Sequence, residues 1–133
     1  MSNELERSNI HSGAPWESVV GYSRAVRLGR FIAVSGSAAI DADGKLVGED
    51  SPYLQAVQCI KIIQDALEKA GASLKDVVRT RMYVTDIDQW ADISRAHKEA
   101  FGDVMPATSM VEVRRLIDPK MLVEIEADAI VAD

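Results

Sequence analysis

The stretch Leu122-Val123-Glu124-Ile125-Glu126-Ala127-Asp128-Ala129-Ile130-Val131 decides the fold. Successive side chains of an extended chain point to opposite sides. Val123, Ile125, Ala127, Ala129 and Val131 therefore share an apolar face, while Leu122, Glu124, Glu126, Asp128 and Ile130 share the other. Alternation this regular predicts a strand with its apolar side on a core. Two further segments alternate in the same way. Thr108–Leu116 sets Ser109, Val111 and Val113 against Thr108, Met110 and Glu112. Val77–Val84 sets Val78, Thr80, Met82 and Val84 against Val77, Arg79, Arg81 and Tyr83.

Around these strands the period changes. Leu54, Val57, Ile60, Ile63, Leu67 and Ala70 recur at helical spacing. Ser51 suits the N-cap, Pro52 the first helical position and Gly71 the stop. Ser73 and Asp76 form a small capping turn. A second helix follows Asp86 or Asp88 and ends at Gly102, with Trp90, Ile93, Ala96, His97, Ala100 and Phe101 as its apolar stripe.

Toward the start, Met1–Ser12 reads as extended or loose, and Gly13-Ala14-Pro15 interrupts the chain. Val19–Val26 and Phe31–Ser35 are β-prone runs around Leu28-Gly29-Arg30, which suits a hairpin. A turn at Asp41–Gly44 leads to a short strand at Lys45–Val47. The expected order, ββ(β)αβαββ, is an α+β fold: one mixed sheet with two helices on one face, as a single domain over residues 1–133.

With 133 residues the chain can build one core and not comfortably two. Its net charge of −6 argues against a broad nucleic-acid surface, which needs clustered Lys and Arg. Apolar runs are too short to span a bilayer, no basic helix offers itself to acidic lipid, and Met1–Ser12 carries no apolar signal core. The single cysteine, Cys59, cannot form an internal disulfide and fits a reducing compartment, so a cytoplasmic location is expected.

The face away from the helices collects Arg79, Arg81, Tyr83, Glu112, Glu124, Glu126 and Asp128. Antiparallel sheets often keep a solvated face. The alternative is a subunit interface with a polar pocket, where buried charges must be paired, as Arg81 with a strand-end glutamate.

The residues match a family in order over nearly the whole chain. The matching pieces are Gly21–Gly29, Val34-Ser35-Gly36, Ala70–Val78, Tyr83–Asp86, Pro106–Val113 and Val123–Ala127. The sequence resembles the YjgF/Rid (reactive intermediate deaminase, RidA-like) family, also labelled endoribonuclease L-PSP. The resemblance implies a chorismate-mutase-like fold, a homotrimer whose sheets form a central barrel, and ligand sites in clefts between subunits. It implies hydrolysis of reactive enamines and imines without metal or cofactor. On that basis Tyr22, Ser35 and Gly36 fall on pocket positions, and Glu124 on the glutamate thought to orient the attacking water. Thr108 stands where imine-deaminating members carry an arginine that grips a substrate carboxylate, and Ser94 replaces a pocket asparagine. Threonine cannot form the bidentate fork, so 2-iminoacid deamination does not transfer with the fold.

Other residues have two readings each. Glu124 is a general base raised by burial, or the partner of Arg81 or Arg114 in a structural salt bridge. Arg24 and Arg81 are candidates to supply the missing guanidinium, or are interface ion pairs. Trp16 could wall the pocket and Glu17 add a carboxylate, or they are an anchor beside an exposed charge. His97 reads as a packed helix residue, His11 as part of a mobile start and Cys59 as an inert buried thiol. No histidine and cysteine cluster points to a metal.

Three functions follow: a small-molecule hydrolase or deaminase acting on an enamine or imine, a trimer that binds a metabolite without turning it over, and an endoribonuclease. The acidic balance weighs against the last.

Overall fold

The computed structural model describes residues 6–132. The elements are β1 (Arg7–Ile10), α1 (Pro15–Val20), β2 (Ala25–Leu28), β3 (Phe31–Ala38), α2 (Pro52–Lys69), β4 (Val77–Val84), α3 (Trp90–Phe101), β5 (Ala107–Glu112) and β6 (Val123–Ile130). The strands form one mixed sheet in the order β1-β2-β3-β6-β4-β5, in which β4 and β5 run parallel and the other neighbours antiparallel. The fold class is therefore α+β, with α2 and α3 on one face of the sheet.

The alternation in β6 works as expected. Val123, Ile125, Ala127 and Ala129 are fully buried under the helices, beside Ile32, Val34, Met82 and Val84. From α2 come Ala56, Cys59, Ile60, Ile63 and Leu67 to meet them. The Ser51 hydroxyl accepts from the Leu54 N–H, which caps α2, and Ser73 with Asp76 forms a reciprocal capping box. Gly71 takes the left-handed conformation (φ 83°) that ends the helix region.

Five expectations need correction. Val19–Val26 is not one strand: Val19 and Val20 end the short helix α1, and β2 begins only at Ala25. Pro15 at the first position and an acidic first turn start that helix, and Gly21, at φ 90°, ends it. Val78 does not face the core and is 44% exposed. The register steps from Val77↔Ala129 to Arg79↔Asp128, so Val78 is the extra residue of a bulge and Val77 turns inward instead. Trp90, 58% exposed, leaves the apolar stripe of α3, whose buried side is Ile93, Ala96 and Phe101. The preceding turn, Ile87–Gln89 capped by Asp86, is a separate 3-10 segment that rotates Trp90 away. Lys45–Val47 supplies only a single bridge, Leu46 to Ile40, and β5 stops at Glu112 rather than Leu116. Of the start expected to be extended or loose, Arg7–Ile10 is the edge strand β1, and residues 1–5 lie outside the described residues.

Candidate active site

A β-bulge organises the most promising region. On β3 the pairing steps from Val34↔Ala127 to Ser37↔Ile125, which leaves Ser35 and Gly36 in an irregular turn of the strand. Bulges of this kind re-aim side chains and recur beside active sites. The Ser35 hydroxyl donates to the Ser23 carbonyl (2.7 Å), and the Ser37 hydroxyl donates to the Ser35 carbonyl (3.0 Å). Gly36 is needed for space. A Cβ there would collide with the Glu124 carboxylate, which lies directly over it.

Glu124 projects from β6 to the face away from the helices and is partly buried. Burial and the neighbouring charge of Glu126 push its carboxyl above the ordinary range, while Arg24 opposes them. A carboxylate held this way is a better proton acceptor than a free one. Arg81, the partner considered for it, is bound elsewhere: its Nη1 lies 3.1 Å from Asp128 and 3.5 Å from Glu126. The Tyr83 hydroxyl donates to Glu126 (2.9 Å).

Arg24 is the hub. It is only 9% exposed, and its Nη1 donates to the Ser37 hydroxyl (3.1 Å). Its guanidinium lies 5.5 Å from the Tyr22 ring centroid, and its charge acts on both Glu17 and Glu124. Its Nε finds no hydrogen-bond partner among the described residues. One cation thus stands against two carboxylates.

Glu17 reaches the region from α1 and is 5% exposed. Its carboxylate accepts from the Ser12 N–H (3.2 Å), from the Ser12 hydroxyl and from His11 Nδ1 (2.9 Å). Burial pushes the Glu17 carboxyl up, but those hydrogen bonds and the Arg24 charge outweigh it and leave it lowered. His11, Glu17, Tyr22, Ser23 and Ser35 line an open cleft of about 500 Å³ along β1 and the end of α1.

Some predicted site residues lie elsewhere. Trp16 is exposed on α1 and is not among the residues lining this cleft. Thr108 pairs with Thr80 on β4, which in turn faces Ala127, so Thr108 points to the helix side. Glu124 pairs with Tyr83 on the opposite side, and one chain does not bring Thr108 and Glu124 together. The Thr108 hydroxyl donates to the Thr80 carbonyl (3.2 Å) and accepts from the Thr80 hydroxyl (2.7 Å). Thr80 also meets His97 Nε2 at 2.9 Å, and His97 packs on Phe101 with ring centroids 4.7 Å apart. Burial lowers the His97 pKa, which favours a neutral ring. Ser94 lies in a separate groove along α3, beside Trp90, Arg95 and Lys98. Cys59 is buried, and burial pushes its thiol well up.

Sequence reasoning missed the contact that His11 makes with a buried carboxylate. Its partner Glu17 lies six positions on, across a turn that the periodicity does not reveal. Among the described residues no group of three His, Cys, Asp or Glu side chains is placed to hold a metal, and no helix is long and apolar enough to cross a membrane.

A mixed sheet backed by two helices, with a bulged strand end set against a half-buried glutamate, defines a class of small α+β proteins with a polar cleft on the open side. The chain belongs to the Endoribonuclease L-PSP family, the YjgF/Rid group, which its sequence matches over residues 12–131. A crystal structure of a YjgF/YER057c/UK114 family member from Mycobacterium tuberculosis is 48% identical, with a TM-score of 0.88, covering 95% of this chain and 100% of that one. A RutC family protein of Pyrococcus abyssi is 42% identical over 81% of this chain and 84% of its own length. A 2-iminobutanoate/2-iminopropanoate deaminase of Salmonella typhimurium is 34% identical over 82% of this chain and 86% of its own length.

Proposed function

We propose that this protein hydrolyses a reactive imine or enamine that carries no carboxylate at the usual grip position, in clefts between the subunits of a homotrimer. The observation that carries this reading is the Glu124 carboxylate, raised by burial, over Gly36 and under the influence of Arg24. In this role Glu124 takes a proton from water as the oxygen attacks the imine carbon, and returns it to the nitrogen. Tyr22 and Ser35 line the cleft, and Gly36, next to Ser35, lies under the Glu124 carboxylate.

Two features support assembly between copies. Thr108 and Glu124 occupy opposite faces of one chain, so a site that uses both draws Thr108 from a neighbour. Leu28, Phe31 and Ile130 are neighbours across three strands and are exposed, as are Val78 and Val111. Exposed apolar side chains grouped on adjacent strands mark a contact surface.

The relative named as a 2-iminobutanoate/2-iminopropanoate deaminase supports imine hydrolysis as the reaction class. The substrate differs because the Thr108 hydroxyl, tied to Thr80, offers a neutral oxygen where a guanidinium would be required. Arg24 does not replace that cation freely, because it is buried and its charge already acts on Glu17 and Glu124.

The test generates a carboxylate-free imine from benzylamine with a flavin amine oxidase and follows the release of ammonia as the imine is hydrolysed. Wild-type protein should speed that release over buffer. Glu124→Gln should lose about 100-fold of that rate, the usual size of a general-base contribution. No acceleration over buffer would defeat the hydrolase reading and leave a ligand-binding trimer.

A further inference from the structure

His11 and Glu17 form a unit separate from Glu124. The Glu17 carboxylate is fixed by four contacts, three from Ser12 and one from His11. Ser12 alone would anchor the loop; the bond to the imidazole does something more. An ionised carboxylate can only accept a hydrogen bond, so Nδ1 must carry the proton. In a neutral ring this leaves Nε2 bare, on the edge of the imidazole away from Glu17. The His11 side chain is 59% exposed and lines the cleft with Tyr22 and Ser35. A buried carboxylate orienting an exposed imidazole beside a polar cleft is the arrangement of a base held ready for a ligand. The lowered Glu17 carboxyl keeps that carboxylate ionised.

We propose that His11 is a catalytic proton-transfer group of this cleft, with Glu17 as its positioning residue. The inference rests on the imine-hydrolysis reading for its substrate. Water adds to the imine carbon with the help of Glu124, which gives a carbinolamine bearing one hydroxyl and one amino group. Nε2 then accepts the hydroxyl proton as the C=O bond forms, and passes it to the amino nitrogen as the C–N bond breaks. The products are the carbonyl compound and ammonia, and both protein groups return to their starting state.

The experiment combines kinetics with ring-nitrogen NMR on the full chain. The sequence holds two histidines, so the His11 signals are assigned by their loss in His11→Asn. That variant keeps an amide N–H close to the Nδ1 position and so keeps the tie to Glu17, but has nothing in place of Nε2. The wild-type neutral ring should show a protonated Nδ1 and a bare Nε2. His11→Asn should lower kcat on the benzylamine-derived imine about 100-fold, with KM little changed. A protonated Nε2 in the neutral wild-type ring overturns the proposal, and so does a folded His11→Asn with full kcat. Should the wild type hydrolyse no imine, the functional reading fails by itself. The ring spectra then decide the dyad alone: a bare Nε2 sustains it and a protonated one removes it.

Discussion

Gly36 and the two buried carboxylates carry the predictions at the scale of single residues. A methyl group at position 36 meets only the far end of the Glu124 side chain, which can swing away. Gly36→Ala should therefore change stability by less than about 1 kcal/mol in urea unfolding. It should nevertheless cut kcat/KM for imine hydrolysis about 100-fold, because the carboxylate is displaced from the reacting centre. Glu124 and Glu17 should give opposite pH dependences. A carboxyl with a raised pKa binds its proton more tightly in the folded state. Stability then falls as pH rises from the ordinary carboxylate range through the raised value, and stays lower above it. Glu17, lowered, contributes stability above the ordinary range that is lost as pH falls through its folded value. Glu124→Gln should thus raise Tm at neutral pH and leave it nearly unchanged in acid. Glu17→Gln should lower Tm at neutral pH, with the difference closing in acid. Parallel Tm-against-pH curves for wild type and both variants would contradict these environments.

At the scale of elements, β4 and α3 are tied through Thr80. Its fully buried hydroxyl bridges His97 and Thr108. Thr80→Val keeps the shape but removes the bridge, and should cost about 1–3 kcal/mol in urea unfolding, the range for a buried polar group left without its partner. A change within experimental error would mean that water replaces the hydroxyl at no cost. The same strand shows what the sequence made legible. Period-two alternation placed β6 and most of β4 on the right faces because both strands bury one side completely. It failed at Val78 because a bulge is set by pairing with Asp128 and Ala129, not by any local pattern. It failed at Val19 and Val20 because β-branched residues can end a helix when Pro15 starts it and Gly21 stops it. The place of Glu124 on the open face was legible from the alternation of β6. The contact of His11 with Glu17 was not, because it depends on a turn that brings His11 back to a buried carboxylate.

The whole molecule is acidic, and its open sheet face carries Arg81 bound to Glu126 and Asp128. If that face meets two other copies, the ion pairs become buried and sensitive to loss of either partner. Native mass spectrometry should give three times the 14.5 kDa chain for the wild type and a monomer for Arg81→Glu, which sets like charges together. A variant that remains trimeric would place the interface elsewhere. The choice of substrate belongs to this scale as well, because in the proposed trimer Thr108 meets Glu124 only across subunits. The most direct measurement is kcat/KM for two imines, one from benzylamine and one being 2-iminobutanoate, in the wild type and in Thr108→Arg. The wild type should favour the carboxylate-free imine by about tenfold or more, and Thr108→Arg should reverse the order, since a charged bidentate contact is worth about 1.5–3 kcal/mol. A wild type that prefers 2-iminobutanoate would contradict the selectivity assigned to Thr108.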